Sequence, residues 1–403
     1  MDGCEVRVTN DVRNCGACGR VCASGSACVA GACQFGGGTE DRTITTPVTL
    51  DPPRAAARGT AGTTTLTLTS PVGSFAAGQS VIVHQTQGAG AGRYEYNRVA
   101  AVGAGTLTLA TPLANEYSVA GSDRAQVMLV TEFRSLTVAT GASLSGPAWN
   151  GSHGGILAVD VAGALSVAGT VTMAARGFRP QSHGCLYHCG RGFQGEGALG
   201  VGGVNIVNNG SGGGGGGAGQ DDGSGGGGAY GGSGEGGVYT GANYCGTCAE
   251  SCPVPHGLGG AVAGNINLGA SLLFGGAGGE GGADEDGGSP GAGGPGGGAI
   301  VLRAATITVT GAVLSDGSNG AGGNNTCGGA GCGMGGGGGG AGGGIRLVAT
   351  TSVSAGTSLV AARGGSSGVA SCNRARGGVG GVGRVSVLSP ALVGTSIPTL
   401  TRE

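Results

Sequence analysis

The sequence predicts an all-β protein with a disulfide-rich N-terminus, a small β module and a β-solenoid-like repeat domain interleaved with glycine-rich, polyglycine II-like segments. A three-strand pattern recurs along the chain, glycine runs separate its copies, and six cysteines fall within the first 33 residues. A recurring unit predicts its own stacking partner, since one copy cannot bury its apolar face alone. We divide the chain into a cysteine-rich unit (1–38), a linker (39–61), a small antiparallel β module (62–134), a glycine-rich solenoid and polyglycine domain (135–389) and a C-terminal tail (390–403).

The composition excludes several kinds of partner. Glycine and proline make up more than a quarter of the 403 residues, only 10% are charged, and the net charge is −2. Such a chain has no basic field with which to hold nucleic acid or anionic lipid. No stretch reaches the roughly 18 consecutive apolar residues that a membrane span needs. We therefore expect no nucleic-acid partner and no membrane span.

Disulfides are the predicted staples of this chain. Residues 1–38 are too few to bury a stabilising apolar core, so cross-links must supply the stability. Zinc is the alternative, since Cys15-x-x-Cys18 has ligand spacing, but the segment holds six cysteines and no histidine. Sequence cannot separate the 15 pairings that six cysteines allow. All fourteen cysteines are disulfide candidates: Cys4, Cys15, Cys18, Cys22, Cys28, Cys33, Cys185, Cys189, Cys245, Cys248, Cys252, Cys327, Cys332 and Cys372.

Cysteine usage also indicates the compartment. Disulfide-rich chains are typical of oxidising environments outside the cytoplasm. The run NCGACGRVC (Asn14–Cys22), followed by ACVAGAC (Ala27–Cys33), resembles a short cysteine-rich repeat of predicted surface proteins of myxobacteria and related bacteria. That resemblance implies an exported protein. Residues 1–11 lack the charged and apolar regions of a signal peptide, so we expect the natural chain to begin further upstream.

Alternating apolar and polar residues predict short strands throughout residues 62–134. Glycine-rich turns separate most of these strands, which favours an antiparallel module. The string from Gly78 to Leu113 resembles a module that precedes glycine-rich solenoids in other bacterial surface proteins. We expect His84 and Glu95 to lie on the solvent face of a strand, with a pair of functional groups as the alternative.

The solenoid repeat appears three times, at Gly154–Gly177, Gly297–Gly317 and Gly344–Gly364. Each copy has three short strands in about 20 residues, the period of a parallel β-helix coil. Leu157 and Ile300 stand at matching offsets, so their side chains should stack on one face.

Charged and aromatic residues of the repeat region give three further expectations. Asp160 and Arg303 share an offset on the opposite face, where an exposed ion pair between neighbouring coils would contribute about 0–1 kcal/mol. The third strands of the first and last copies align without a gap, which would place Arg176 and Arg363 at equivalent corners of their coils. Trp149, the single tryptophan, should plug the end of the apolar stack, or else provide a sugar-stacking platform.

Glycine tracts separate the repeats, and the sequence allows two interpretations: the tracts are either disordered or packed as ordered helices. Disorder is favoured by the entropy cost of ordering glycine. Ordered tracts would be extended helices of three residues per turn, whose backbones approach and hydrogen-bond to one another. Cysteines in or beside the tracts favour order. The tracts run at about 195–244, 275–298, 317–344 and 364–383.

The alternation of three-strand units with glycine runs resembles the glycine-rich domains of bacterial and phage surface proteins. It is also similar to the glycine-rich extracellular domain of anaplastic-lymphoma-kinase-type receptors. These resemblances imply packed polyglycine helices and a binding role rather than catalytic turnover.

Three side-chain clusters could bind metal, but each has a plainer interpretation. In an oxidising compartment the cysteines of the first two clusters pair as disulfides, and the acidic cluster is a solvated loop. We therefore predict no metal, no cofactor and no catalytic residue. The clusters are His183, Cys185, His188 and Cys189; Cys245, Cys248, Cys252 and His256; and Glu280, Asp284, Glu285 and Asp286.

The predicted function is that of an exported structural or adhesive protein of the cell surface or extracellular matrix, non-catalytic, whose partner is an unknown surface glycan or protein. One alternative is a carbohydrate-active β-helix enzyme of the polysaccharide lyase or hydrolase type, which needs a groove gathering acidic residues and arginine. Another is an ice- or surface-binding protein, which needs a flat array such as Thr306, Thr308 and Thr310.

Overall fold

The computed structural model describes residues 7–22, 26–182, 191–210, 212–217, 223–239, 256–282, 289–323, 334–369 and 375–403. Within these ranges the chain forms twenty-four β-strands and no helix, which confirms the all-β prediction.

The N-terminal unit is a two-stranded hairpin held by disulfides. Its strands are β1 (Ser26–Val29) and β2 (Ala32–Phe35), paired antiparallel. Disulfides join Cys15 to Cys28 and Cys22 to Cys33, and Cys18 is also disulfide-bonded. The sequence predicted a disulfide-rich unit here, and the structure confirms it.

Residues 39–61 differ from the expected linker, because they contain three strands. The strands β3 (Asp41–Ile44) and β4 (Val48–Thr49) pair in parallel with later solenoid strands and form the first coil. The third, β5 (Arg54–Arg58), belongs to the β module. Strands as short as β3 and β4 show no clear alternation of apolar and polar residues, so they are recognised only by their pairing with later strands.

The β module is a closed six-stranded barrel inserted between the first and second coils. Its strands follow the order β10, β5, β6, β9, β8, β7 around the barrel, all pairs antiparallel. Closure removes the unpaired sheet edges that an open module would expose. The remaining barrel strands are β6 (Thr65–Val72), β7 (Ser80–Gln87), β8 (Tyr94–Gly103), β9 (Thr106–Leu109) and β10 (Arg124–Leu129).

The solenoid is a stack of parallel coils whose strands line up into three faces. The first face contains β11 (Thr131–Phe133), β14 (Ile156–Val161), the beginnings of β18 (Ala299–Val309) and β20 (Gly344–Ala361), β22 (Arg384–Leu388) and β24 (Thr401–Arg402). The second contains β3, β12 (Ser135–Val138), β15 (Ala164–Val167), later segments of β18 and β20, and β23 (Ala391–Ile397). The third contains β4, β13 (Ser143–Ser145), β16 (Thr170–Thr172), β19 (Ala312–Leu314) and the ends of β20 and β23.

The predicted register holds in the first strands and shifts in the third. Leu157 lies beside Ile300, as the shared offset predicts. On the third face Val171 lies beside Val313, which lies beside Val360. The gap-free alignment is therefore displaced by two residues, and Arg176 and Arg363 are not equivalent. A shift of two keeps every side chain on its own face, so the apolar pattern cannot detect it.

Inward-pointing side chains from all three faces form one continuous core. Rows of Leu, Ile and Val repeat from coil to coil, and nearly all of these side chains are buried. On the second and third faces, small or polar residues alternate with them and point outward, which is why these segments adopt strands with one buried face. On the first face the outward side chains include Ile156 and Val301, which are buried in a second apolar core.

The glycine tracts leave the solenoid between the third face of one coil and the first face of the next, and they pack together into a bundle. The Gly279 amide donates to the Gly226 carbonyl (2.8 Å), and the Gly338 amide donates to the Gly279 carbonyl (2.9 Å). A Cβ on Gly338 would lie 2.0 Å from the Gly226 oxygen, so only glycine permits this approach. The bundle also contains a two-stranded ladder of β17 (Val238–Tyr239) and β21 (Ala375–Arg376).

Candidate functional site: the outer second face of the solenoid

A ladder of hydroxyl side chains crosses the outside of the second face. Register pairing places Thr43, Thr137, Ser166, Thr308 and Ser354 side by side on five successive coils. Each of the five residues is exposed or half-buried. None of their hydroxyls makes a hydrogen bond to another described residue. We call this row the hydroxyl ladder.

Mostly small, uncharged residues flank the hydroxyl ladder. Ala164, Thr306 and Ser352 form a second row one pleat away, and the paired residues Asp41 and Ser135 precede Thr43 and Thr137 by the same spacing. Strands β12 and β15 and the adjoining segments of β18 and β20 contain no charged residue, whereas β3 contains Asp41 and Arg42. Neighbouring strands lie about 4.8 Å apart, and alternate residues of one strand about 6.6 Å apart, so the hydroxyls form a regular two-dimensional array. Such a surface can make many equivalent hydrogen bonds to a repeating partner.

Threonine spacing in the sequence indicated only part of this array. Thr306, Thr308 and Thr310 were the expected ladder, and the structure places all three on the outside of β18 or at its end. The longer row runs perpendicular to the chain, from Thr43 to Ser354. Its members come from five separated segments, so linear spacing contains no signal for it.

Asp160 and Arg303 pair across neighbouring coils, but the expectation that the pair is exposed was wrong. The guanidinium donates to the carboxylate through Nε (2.7 Å) and Nη2 (2.5 Å), and both side chains are at most 2% exposed. The rings of Tyr96 and Phe35 lie 3.5 and 4.9 Å from the guanidinium carbon. The barrel and the N-terminal unit therefore cover the outside of the first face. Burial raises the pKa of Asp160, and the charge of Arg303 opposes that rise.

Trp149 is buried at the side of the first face rather than over the end of the stack. It packs against Phe178 and Phe274 in a second apolar core between the solenoid, the barrel and the glycine bundle. Its indole nitrogen donates to Glu196 Oε1 (3.2 Å). At 3% exposure its ring is not available as a sugar platform.

Glu196 is a buried carboxylate that the sequence analysis did not identify. It is fully buried within a glycine-rich segment and accepts hydrogen bonds from Trp149, Gln87 and the Arg179 backbone and guanidinium. Its oxygens are committed to these partners, so Glu196 joins the barrel to the bundle. Its single signal in the sequence is an acidic residue within an otherwise apolar and glycine-rich run.

His84 and Glu95 neither pair nor share a solvent face. His84 is fully buried: Nε2 lies 2.7 Å from the Leu272 carbonyl oxygen, and Nδ1 lies 2.9 Å from Thr86 Oγ1. A carbonyl can only accept, so Nε2 carries the proton. Burial lowers the pKa of His84 to about 4, which keeps the ring neutral. Glu95 instead accepts hydrogen bonds from the loop that follows β9, including one from the Tyr117 hydroxyl (3.0 Å).

The predicted metal-type clusters fall largely outside the described residues. Among the described residues, the sulfurs of Cys15, Cys22 and Cys33 lie within 4.8 Å of one another, but disulfide bonds occupy all three. His256 is described, and its Nδ1 accepts from the Ser224 amide. Glu280 accepts hydrogen bonds from the Ser182 hydroxyl and the Phe193 amide. Cys4, Cys185, Cys189, Cys245, Cys248, Cys252, Cys327, Cys332, Cys372, His183, His188, Asp284, Glu285 and Asp286 lie outside the described residues.

Comparison with known proteins gives little similarity. No protein-family model and no curated protein matches this chain. Among solved structures, the tailspike of Acinetobacter baumannii bacteriophage AP22, in complex with A. baumannii capsular saccharide, aligns at 8% identity with a TM-score of 0.18. The alignment covers 91% of this chain and 60% of the tailspike chain. In the described part of the chain, no helix has the length and hydropathy to cross a membrane.

Proposed function

We propose that this chain is an exported, non-catalytic adhesive or structural protein whose second face binds an extended surface polymer. The observation that carries the proposal is the hydroxyl ladder, five unpartnered hydroxyls in register on an outer face whose charged residues lie in its first strand, β3. The disulfides of the N-terminal unit support an oxidising, extracellular setting.

The regular array of hydroxyls favours a partner built from repeating chemical units. One exposed hydroxyl contributes little, because water competes for it and the net gain of a hydrogen bond is about 0.5–1.5 kcal/mol. Several hydroxyls held on one rigid sheet bind a polymer together, and each contact after the first is intramolecular. A glycan chain, with hydroxyls at regular intervals, fits this requirement.

A charge placed within the ladder tests the proposal. Thr308→Lys inserts a long cation at the fourth of the five positions of the row, where the exposed site tolerates it without disturbing the core. Thr67→Lys, on the exposed side of barrel strand β6, is the matched control. On a glycan microarray, we expect the native chain and the control to bind the same glycans and Thr308→Lys to lose at least about tenfold in affinity, equivalent to about 1.4 kcal/mol. Equal binding by all three proteins would refute the proposal.

Ice is a second candidate partner, favoured by the two-dimensional regularity of the array. Rows of hydroxyls about 4.8 Å apart along the stack and about 6.6 Å apart along a strand offer a lattice rather than a pocket. Inhibition of ice recrystallisation by the native chain, lost in Thr308→Lys and kept in Thr67→Lys, would support it. Native protein without effect on ice growth would exclude this candidate and leave the polymer proposal untouched.

A further inference from the structure

A polar cleft lies between the N-terminal unit and the barrel, away from the hydroxyl ladder. Its volume is about 410 Å³, within the range of about 300–1,000 Å³ typical of small-molecule sites. We call it the polar cleft. The polar residues that line it include Ser26, Ser80, Tyr96, Asn97, Arg98 and Thr111.

Contacts among the lining residues, which also include Arg303, hold the walls of the cleft in place. The Tyr96 ring lies against the Arg303 guanidinium at 3.5 Å. Asn97 Oδ1 accepts from the backbone amides of Arg98 (2.9 Å) and Thr111 (3.3 Å), and its Nδ2 donates to the Thr111 carbonyl (3.0 Å). A site whose side chains are already fixed loses little entropy when a ligand enters.

The acceptors around the polar cleft are already committed. Glu132, beside it, accepts from the Ser80 hydroxyl through Oε1 and from the Gly37 amide through Oε2. Asp160 is bound by Arg303 through both oxygens. The acidic groups nearest the cleft are therefore occupied by protein donors.

Some donors, in contrast, remain available. Arg98 Nη1 donates to the Gly78 carbonyl (2.6 Å), but Nη2 reaches only Glu132, at 4.0 Å, beyond hydrogen-bond distance, and the side chain is 46% exposed. The Thr111 hydroxyl makes no hydrogen bond to a described residue, and Asn97 Nδ2 has a second proton to donate. The Tyr96 hydroxyl is buried and has no partner among the described residues. A ligand that fits this set must supply acceptors.

We propose that the polar cleft binds a small carboxylate, such as the acid group of a uronic sugar, with Arg98 as its charged anchor and Thr111 and Asn97 as neutral donors. A carboxylate offers two acceptor oxygens to a guanidinium, and such charge-assisted hydrogen bonds are about twice as strong as neutral ones. The site does not depend on the function proposed for the second face.

Calorimetric titration of the full chain with D-glucuronate, acetate and D-glucose tests the inference. We expect glucuronate to bind and glucose not to. Arg98→Gln should weaken glucuronate binding by about tenfold or more, and Thr111→Val by several-fold, since charged hydrogen bonds contribute more than neutral ones. Arg58→Gln, at the exposed end of barrel strand β5, is the matched control and should bind as the native chain does.

Acetate separates the two sources of a carboxylate. Acetate that binds as tightly as glucuronate would assign the cleft to carboxylates in general, and weaker acetate would assign it to an acidic sugar. The inference is overturned if glucose binds as well as glucuronate, if neither acid binds, or if Arg98→Gln and Thr111→Val both leave binding unchanged.

Discussion

Replacing Arg303 by Met tests the buried pair that joins the solenoid to its two covering units. Methionine keeps an unbranched apolar chain between the rings of Tyr96 and Phe35, but it leaves Asp160 buried without a counter-charge. Removing one partner of a buried ion pair typically costs about 3–5 kcal/mol, against about 0–1 kcal/mol for an exposed pair. Both side chains are at most 2% exposed, so we expect the larger loss at pH 8.

The loss should depend on pH, because Asp160 can escape its charge by taking up a proton. Burial already raises the pKa of Asp160, and Arg303 opposes that rise. Without Arg303 the folded-state pKa rises further above the unfolded value of about 3.9. The folded variant then binds more protons than the unfolded chain between these two pKa values, so its stability falls as pH rises through that window. The defect should be smaller at pH 5 than at pH 8.

Urea unfolding at the two pH values measures this defect, with fluorescence of the single tryptophan as the probe. Trp149 is 3% exposed in the core beneath the covering units, so its emission reports their separation. The control Arg134→Met breaks an exposed pair with Asp41 and should leave the urea midpoint unchanged. A variant of Arg303 that loses less than about 1 kcal/mol at pH 8, or the same amount at both pH values, would refute the reasoning.

Three further predictions concern the histidine, the glycine bundle and the disulfides. The folded-state pKa of His84, about 4, lies below the unfolded value of about 6.5, so the free energy of unfolding should fall by up to about 3 kcal/mol as pH drops from 6.5 to 4. In urea unfolding, His84→Gln should lack that part of the pH dependence. An unchanged pH dependence in the variant would contradict the prediction. Gly338→Ala should destabilise the bundle by about 1–3 kcal/mol or more in calorimetry, whereas Gly203→Ala, whose Cβ would meet one atom at 3.9 Å, should be tolerated; equal effects would argue against the close packing. Peptide mapping of unreduced protein should recover Cys22 linked to Cys33, and Cys22→Ser should lower the unfolding free energy of this unit by about 2–4 kcal/mol; a different linkage would contradict the assigned pairing.

The sequence was sufficient for the elements whose evidence is periodic. The offset shared by Leu157 and Ile300 predicted the solenoid and the register of its first face, because neighbouring coils repeat the same inward side chains. For the glycine tracts the sequence left two interpretations open, and their described residues adopt the ordered one, in which backbone groups without side chains find partners in one another.

Covering contacts were not predictable in the same way. Asp160 and Arg303 alternate with apolar residues as an exposed pair would, and nothing local indicates that β2 and β8 lie over them. His84 appeared exposed for the same reason, although Phe274, from a distant glycine-rich segment, stacks on it at 5.8 Å. Alternation assigns each residue to a face but does not say what lies against that face.

The candidate sites, too, depend partly on local sequence pattern and partly on contacts that the sequence does not reveal. Thr306, Thr308 and Thr310 were visible as a run, yet the hydroxyl ladder depends on strand pairing between five segments. Arg98 belongs to no sequence motif. It is a candidate anchor because the nearby carboxylates of Glu132 and Asp160 already accept hydrogen bonds from other protein groups.

The contact between the N-terminal unit and the interior of the coil stack has a mechanical consequence. If the N-terminus were tethered and the solenoid held by a surface, tension would pass along β2 before it reached the short strands β3 and β4. Phe35 lies on Arg303, in a coil well inside the stack, so the load would enter the solenoid at its interior. The terminal coil, with only a few ladder bonds, would be shielded from peeling as long as that contact holds.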